Sequence, residues 1–312
     1  EGFPLPLQRV CLAASNDPTL EAVDMNAKAT SVVSTKGGVG KSTTAANLGA
    51  FCADAGLKTL LIDLDPVQPS LSSYYELPEV AQGGIYDLLA ANITDPARII
   101  SRTIIPNLDV VISNDQNNQL NNLLLQAPDG RLRLANLMPS LKQGYDLVLI
   151  DTQGARSALL EMVVLASDLV VSPLQPNMLT AREFNRGTMQ MLDGLRPYER
   201  LGMRIPKVQI VINCLDQTND SRAIHENVRA IFDEHQDISV LETTVPDAVV
   251  FRNAASRGLP AHRLETRQPS NRTSAPALEI IRNLAIEVFP EWTDRFLALT
   301  PEAVAALVKG GR

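Results

Sequence analysis

The residues best equipped for chemistry lie in one stretch, Ser34-Thr35-Lys36-Gly37-Gly38-Val39-Gly40-Lys41-Ser42-Thr43-Thr44. Small residues let successive backbone N–H groups curl around an anion, and a following helix adds partial positive charge from its N-terminus. Lys41 is then placed to reach the β- and γ-phosphates of a nucleotide, and the Ser42 hydroxyl to ligate Mg²⁺. The ordinary phosphate loop reads G-x-x-x-x-G-K-[ST]. This chain has Thr35 where the first glycine belongs, and a lysine, Lys36, directly after it.

Two acidic signals accompany the loop. The first is Ile62-Asp63-Leu64-Asp65-Pro66, and the second is Leu147-Val148-Leu149-Ile150-Asp151, followed by Thr152-Gln153-Gly154. A carboxylate at the carboxyl end of a strand beside a phosphate loop can hold Mg²⁺ or orient an attacking water. Asp65 and Asp151 are therefore candidates for the metal shell, with Ser42, and Asp65 also for placing the water. No Ser/His/Asp or Cys/His arrangement competes. His225, His235 and His262 are scattered and read as surface residues.

The elements that must position these groups follow from hydrophobic periodicity. Strands are predicted at Ser31–Ser34, Thr59–Ile62, Asp109–Ile112, Leu147–Ile150, Leu169–Ser172, Val208–Ile212 and Val240–Thr244. Several are continuous Val/Ile/Leu runs, as in strands covered on both faces. Helical patterns lie between them, at Ser157–Ala166, Ala181–Leu195, Arg222–Glu234 and Ala275–Val288, and one follows the loop and stops near Gly56. This alternation predicts an α/β fold: a doubly wound, mostly parallel sheet with helices on both faces and ligands at the carboxyl ends of the strands.

The chain has 312 residues, 45% of them apolar, which supports a packed core; no run approaches the roughly 18 apolar residues of a membrane span. Its net charge of −7 excludes a whole-surface polyanion binder, so contact with nucleic acid would need a local basic patch. Cys11, Cys52 and Cys214 are far apart and form no C-x-x-C, so neither a disulfide framework nor a metal cluster is expected, and a reducing cytoplasm is. Cys52 reads as buried beside alanines on a helix face. Residues 1–27 read as an N-terminal extension, 28–289 as the nucleotide-binding domain, and 290–312 as a helical tail packed on it through Trp292 and Phe296.

The run Lys36-Gly37-Gly38-Val39-Gly40-Lys41-Ser42-Thr43 resembles the deviant phosphate loop of the ParA/MinD family of ATPases, and Asp63-Leu64-Asp65-Pro66 resembles that family's D-x-D-P-Q switch. The resemblance spans roughly Lys28 to Phe289. It implies a P-loop NTPase that uses ATP/ADP and Mg²⁺, with residues 36–43 on the phosphates and Asn213, Pro246 and Asp247 around the adenine. It further implies a homodimer with ATP, in which Lys36 reaches the nucleotide of the second subunit and Asp65 is essential for hydrolysis. Lys36, Lys41 and Mg²⁺ would neutralise developing charge while Asp65 places water. Two departures stand out. Val67 replaces the usual glutamine, with Gln68 one place late, and Asp151-Thr152-Gln153-Gly154 replaces D-T-P-P.

Residues 252–272 carry Arg252, Arg257, Arg263, Arg267 and Arg272 against one acid, Glu265. Such a cluster in an acidic chain implies a focused phosphate-backbone site. It lies where ParA proteins carry DNA-binding arginines, so Arg252, Arg267 and Arg272, with Arg222 upstream, are the DNA-binding candidates. By resemblance the chain is a nucleoid-associated partition ATPase that binds double-stranded DNA nonspecifically and is stimulated by a centromere-binding ParB-type protein. About 30 residues ahead of the loop are too few for a helix-turn-helix domain, so sequence-specific operator binding by this chain alone is not expected. The alternative is a MinD-like positioning ATPase, which needs a basic amphipathic C-terminal helix for membrane contact. Pro301 to Arg312 offer only Lys309 and Arg312, so no membrane partner is expected. A P-loop ligase or iron–sulfur reductase would share the loop, but the reductase needs cluster cysteines that are missing.

Overall fold

A computed structural model describes residues 27–154, 156–215, 219–232, 235–270 and 274–310. The strands are β1 Lys28–Val32, β2 Thr59–Leu64, β3 Ser101–Arg102, β4 Leu108–Val111, β5 Leu147–Thr152, β6 Leu169–Leu174, β7 Lys207–Leu215, β8 Ile238–Val240 and β9 Val245–Pro246. The helices are α1 Lys41–Asp54, α2 Ile85–Ala91, α3 Pro96–Ile99, α4 Leu120–Gln126, α5 Arg133–Leu141, α6 Ala158–Leu165 and α7 Met178–Leu195. They continue as α8 Asn219–Phe232, α9 Val249–Arg257, α10 Ala261–Leu264, α11 Ala277–Val288, α12 Thr293–Ala298 and α13 Pro301–Gly310.

The sheet runs β3-β4-β2-β5-β1-β6-β7-β8, with β9 also on β7. Every pairing is parallel except that of β3 with β4. Parallel strands need crossover helices, and these cover both faces. Side chains alternate accordingly. Leu61, Leu149, Val171 and Val211 join the core formed with α1 and α11, whereas Leu60, Ile62, Val148, Ile150, Val170 and Ile210 join the core formed with α6 and α7. The expected doubly wound sheet is what the chain adopts. Among the described residues, no helix is long and apolar enough to cross a membrane.

Three details differ from the pattern-based reading. β1 begins at Lys28, three residues early, because Thr30 and Ser31 are fully buried strand residues that hydropathy marks as polar. The strand expected over Val240–Thr244 is split. The Glu287 carboxylate takes the backbone N–H groups of Glu242 and Thr243, both at 2.7 Å, so the ladder stops at Val240 and resumes at Val245. In the tail, Trp292 stacks on Phe289 at 5.3 Å, while Phe296 is fully buried against Phe51 of α1 at 5.6 Å. The expected Trp292–Phe296 pairing is therefore replaced by two separate contacts, Phe296 on the helix that follows the phosphate loop and Trp292 on Phe289 at the end of α11. Helix α1 closes as expected, with Gly56 at φ +84° and Cys52 fully buried.

Candidate functional site

The chain leaves β1 at the centre of the sheet and turns through Ser34–Gly40 into α1 at Lys41. Gly38 and Gly40 take φ of +73° and +91°, the left-handed region that glycine alone enters cheaply. A Cβ on Gly37 or Gly38 would meet nothing within 4 Å, so this part of the loop presents open, exposed backbone. A Cβ on Gly40 would lie 2.3 Å from Asn213 Nδ2. That closeness has a purpose: Asn213 Nδ2 donates to the Val39 carbonyl at 2.8 Å and pins the loop to the end of β7. Val39 and Lys41 are buried, Ser42 and Thr43 half-buried, and the Thr43 carbonyl accepts from Asn47 Nδ2 at 2.8 Å.

Asp63 and Asp151 face each other across β2 and β5 in register, both fully buried. Their surroundings differ. Asp63 accepts from the Asp65 N–H at 3.0 Å and from the Ser72 N–H and hydroxyl, both at 2.7 Å. Asp151 has no hydrogen-bond partner within normal geometry at either carboxylate oxygen, although the Ser42 hydroxyl and Lys41 ammonium are near enough to favour its anion. Burial pushes both carboxyls up. Asp151 reaches about 7, with the Asp63 charge adding to the effect, and Asp63 rises despite its donors. A buried carboxylate with two unmet oxygens beside a serine hydroxyl is what a divalent cation would satisfy. The donor set of Asp151, Ser42 and water is hard oxygen and suits Mg²⁺, with phosphate oxygens completing the shell. No cluster of three His, Cys, Asp or Glu gathers among the described residues, so the metal and the phosphate would have to bind together.

Asp65 stands one step beyond β2. Its Oδ1 accepts from the Val67 and Gln68 N–H groups at 3.0 and 2.9 Å, and its carbonyl accepts from the Ser113 hydroxyl at 3.0 Å. This local turn fixes the carboxylate through Oδ1. Gln68, one place late by sequence, serves here through its backbone, and Val67 is 59% exposed.

Lys36 lies on the rim. Its Nζ donates to Thr180 Oγ1 of α7 at 3.2 Å and sits 3.8 Å from Glu183, with the side chain half exposed. Behind it, a Cβ on Gly154 would come within 2.7 Å of the Lys36 carbonyl and 2.8 Å of Gly37 N. The strand exit after Asp151 thus lies directly against the phosphate loop, a packing only glycine allows.

Beside the start of α1 opens a cavity of about 260 Å³ that includes Thr43, Asn213, Cys214, Pro246, Asp247 and Arg252 in its walls. The three residues expected around a base are thus together at one end of the phosphate loop. The basic tract, in contrast, is dispersed. Arg263 is mostly buried, bonding Asp54 at 2.5 and 2.7 Å, and is unavailable to a polyanion. Arg252 pairs with Asp247 at the cavity, and the exposed Arg267 lies 3.5 Å from Glu302. Arg257 is exposed on α9. Arg272 lies outside the described residues, as does the side chain of Arg222 on α8. The surface reading of the histidines fails at His262, which is fully buried, holds Asp54 through Nε2 at 2.8 Å and packs edge-on to Phe51. Burial lowers its pKa although Asp54 opposes the shift.

Sequence reasoning missed Thr180 and Glu183, which hold Lys36, and Asn47, whose Oδ1 accepts from the Ala261 N–H at 2.7 Å and ties α10 to α1. Asn47 does carry a signal, a polar residue on the otherwise apolar face of α1. Thr180 and Glu183 carry none, because their partner Lys36 is more than 140 residues away in the chain.

Residues 27–196 match the protein family described as an AAA domain. Among curated proteins, the sporulation initiation inhibitor protein Soj of Bacillus subtilis is 31% identical over 236 residues, 75% of this chain and 89% of that one. The chromosome-partitioning ATPase Soj of Treponema pallidum is 31% identical over 232 residues, 73% and 86% of the two chains. Among solved structures, a variant of McdA from Cyanothece in complex with ATP superimposes with a TM-score of 0.65 at 19% identity, covering 90% of this chain and 97% of that one.

Proposed function

Since the chain belongs to the ParA family of ATPases within the ParA/MinD superfamily, we propose that it is a nucleotide-switched DNA-partition ATPase. The observation that carries this is the rim lysine. Lys41 and the loop amides serve any phosphate-binding site, but Lys36 is half exposed and held by the hydroxyl of Thr180 and, more loosely, by Glu183. It is free to exchange those partners for a phosphate on a second copy.

In this reading the loop amides and Lys41 hold the phosphates of ATP, and Ser42 and Asp151 hold Mg²⁺. The bound metal supplies charge neutralisation on the phosphate oxygens. Asp63, satisfied by Ser72, keeps the exit of β2 rigid, and the Asp65 turn orients the attacking water. Lys36 adds positive charge from the opposite subunit. Asn213 spends its amide N–H on Val39 and so offers Oδ1 as an acceptor, which suits the amino group of adenine. The ATP dimer binds duplex DNA without sequence preference, through surface arginines such as Arg257 and Arg267, and a ParB-type centromere-binding protein stimulates hydrolysis and release.

The test is a gel shift with arbitrary duplex DNA at low salt. A shift with ATP, and none with ADP or without nucleotide, is expected. Binding of liposomes but not DNA in the ATP state would replace this reading with the membrane-positioning one.

A further inference from the structure

We infer that Arg252 is a nucleotide-binding residue, packing its guanidinium over the base at the mouth of the cavity beside Asn213, and is not a DNA contact. This rests on the reading of that cavity as the base site.

The cavity walls are mostly hydrocarbon: Val245, Phe251, Ala255, Ile281 and Leu284 supply apolar surface. Polar groups occupy two places. At the loop end is the buried amide of Asn213, and at the outer lip are Asp247 and Arg252. Asp247 opens the two-residue connection after β9, and Arg252 is the fourth residue of α9, so the two flank one turn. They form a direct ion pair, Arg252 Nη1 to Asp247 Oδ1. Between the two polar ends lies Cys214, at φ +57°. Asp247 and Arg252 line the same cavity as this cysteine.

An apolar slot with an amide at one end and a charged lip at the other fits a flat heteroaromatic ring. A guanidinium is planar and weakly hydrated, and it stacks on aromatic faces; its pairing with Asp247 holds that plane at the lip. The same pairing makes Arg252 a poor phosphate-backbone contact. Arg267 also has an acidic neighbour, Glu302, but at 3.5 Å and with its side chain 82% exposed, whereas Arg252 is in direct contact with Asp247 and is 63% exposed, so Asp247 cancels more of its charge. Of the arginine tract, Arg252 is thus turned towards the nucleotide.

The experiment measures equilibrium binding of a fluorescent ribose-labelled ATP with Mg²⁺ by anisotropy, for the wild-type protein, Arg252→Ala and Arg252→Lys. A duplex-DNA gel shift at saturating ATP accompanies it. Loss of a cation–π contact predicts roughly 5-fold weaker nucleotide binding for Arg252→Ala, and most of that loss for Arg252→Lys, which keeps the charge but not the plane. The DNA shift at saturating ATP stays at the wild-type protein concentration. Unchanged nucleotide affinity in Arg252→Ala, with or without a weakened DNA shift, overturns the assignment, as does full rescue by lysine. Failure of the wild-type protein to bind the labelled ATP would instead overturn the base-site reading beneath it.

Discussion

Replacing Asp151 with asparagine is expected to stabilise the nucleotide-free protein at pH 8 while abolishing the gain in ATP affinity that Mg²⁺ provides. The carboxyl of Asp151 is pushed by burial to about 7 from 3.8, so between those values the folded chain keeps a proton that the unfolded chain has released. Stability therefore falls as pH rises through that window and is lowest above pH 7. Three pH units at about 1.4 kcal/mol each put the cost of the buried anion near 4 kcal/mol at pH 8. Asparagine removes the charge but leaves an unpartnered buried amide, which costs about 1–3 kcal/mol, so the net gain is about 1–3 kcal/mol. For a chain of this length, with an unfolding entropy of about 0.65 kcal/mol/K, that raises Tm by about 2–5 °C. Differential scanning fluorimetry at pH 8 and pH 5 reads it directly. At pH 5 the wild-type group is protonated and the gain should vanish. An Asn variant that melts at or below wild type at pH 8, or an equal gap at both pH values, would refute the argument that Asp151 is a strained, metal-awaiting carboxylate.

Other perturbations address neighbouring parts of the site. Gly154→Ala places a methyl 2.7 Å from the Lys36 carbonyl, where only backbone could yield; ATP affinity by calorimetry should drop at least about 10-fold and overpacking of about 1–3 kcal/mol should lower Tm by a few degrees, and wild-type affinity and Tm would contradict the packing argument. Asp65→Ala should accumulate an ATP-bound dimer on size-exclusion chromatography while phosphate release stops; undiminished release would remove Asp65 from the water-placing role. Arg263→Ala leaves the buried Asp54 with His262 alone and should cost about 3–5 kcal/mol of stability. Below its lowered Tm it should still shift duplex DNA, and a selective loss of DNA binding in a stable variant would show that Arg263 is more than a structural pair.

Much of the site is legible in sequence because its parts are local. The phosphate loop, the strand ends at Asp65 and Asp151 and the helix after Gly40 each carry their geometry in a few adjacent residues. Parallel strands buried on both faces announce themselves as Val/Ile/Leu runs, and the sheet followed from their spacing. What local pattern cannot carry is pairing at a distance. Arg252, Arg263 and Arg267 look equivalent in a basic tract, yet the fold turns one to the cavity, buries one against Asp54 and leaves one at the surface. His262 looks like a surface residue until α10 is laid on α1, where Asp54 and Phe51 enclose it. The break in the strand after Val240 likewise depends on Glu287, which α11 brings from more than forty residues away.

The central claim is that ATP joins two copies of this chain through Lys36. Sedimentation velocity with Mg²⁺ and a slowly hydrolysed ATP analogue tests it most directly, set against ADP and against Lys36→Ala. A dimer is expected with the analogue, a monomer with ADP, and a Lys36→Ala protein that binds nucleotide yet remains monomeric. A wild-type protein that stays monomeric with bound ATP analogue, or a Lys36→Ala protein that dimerises as well as wild type, would contradict it.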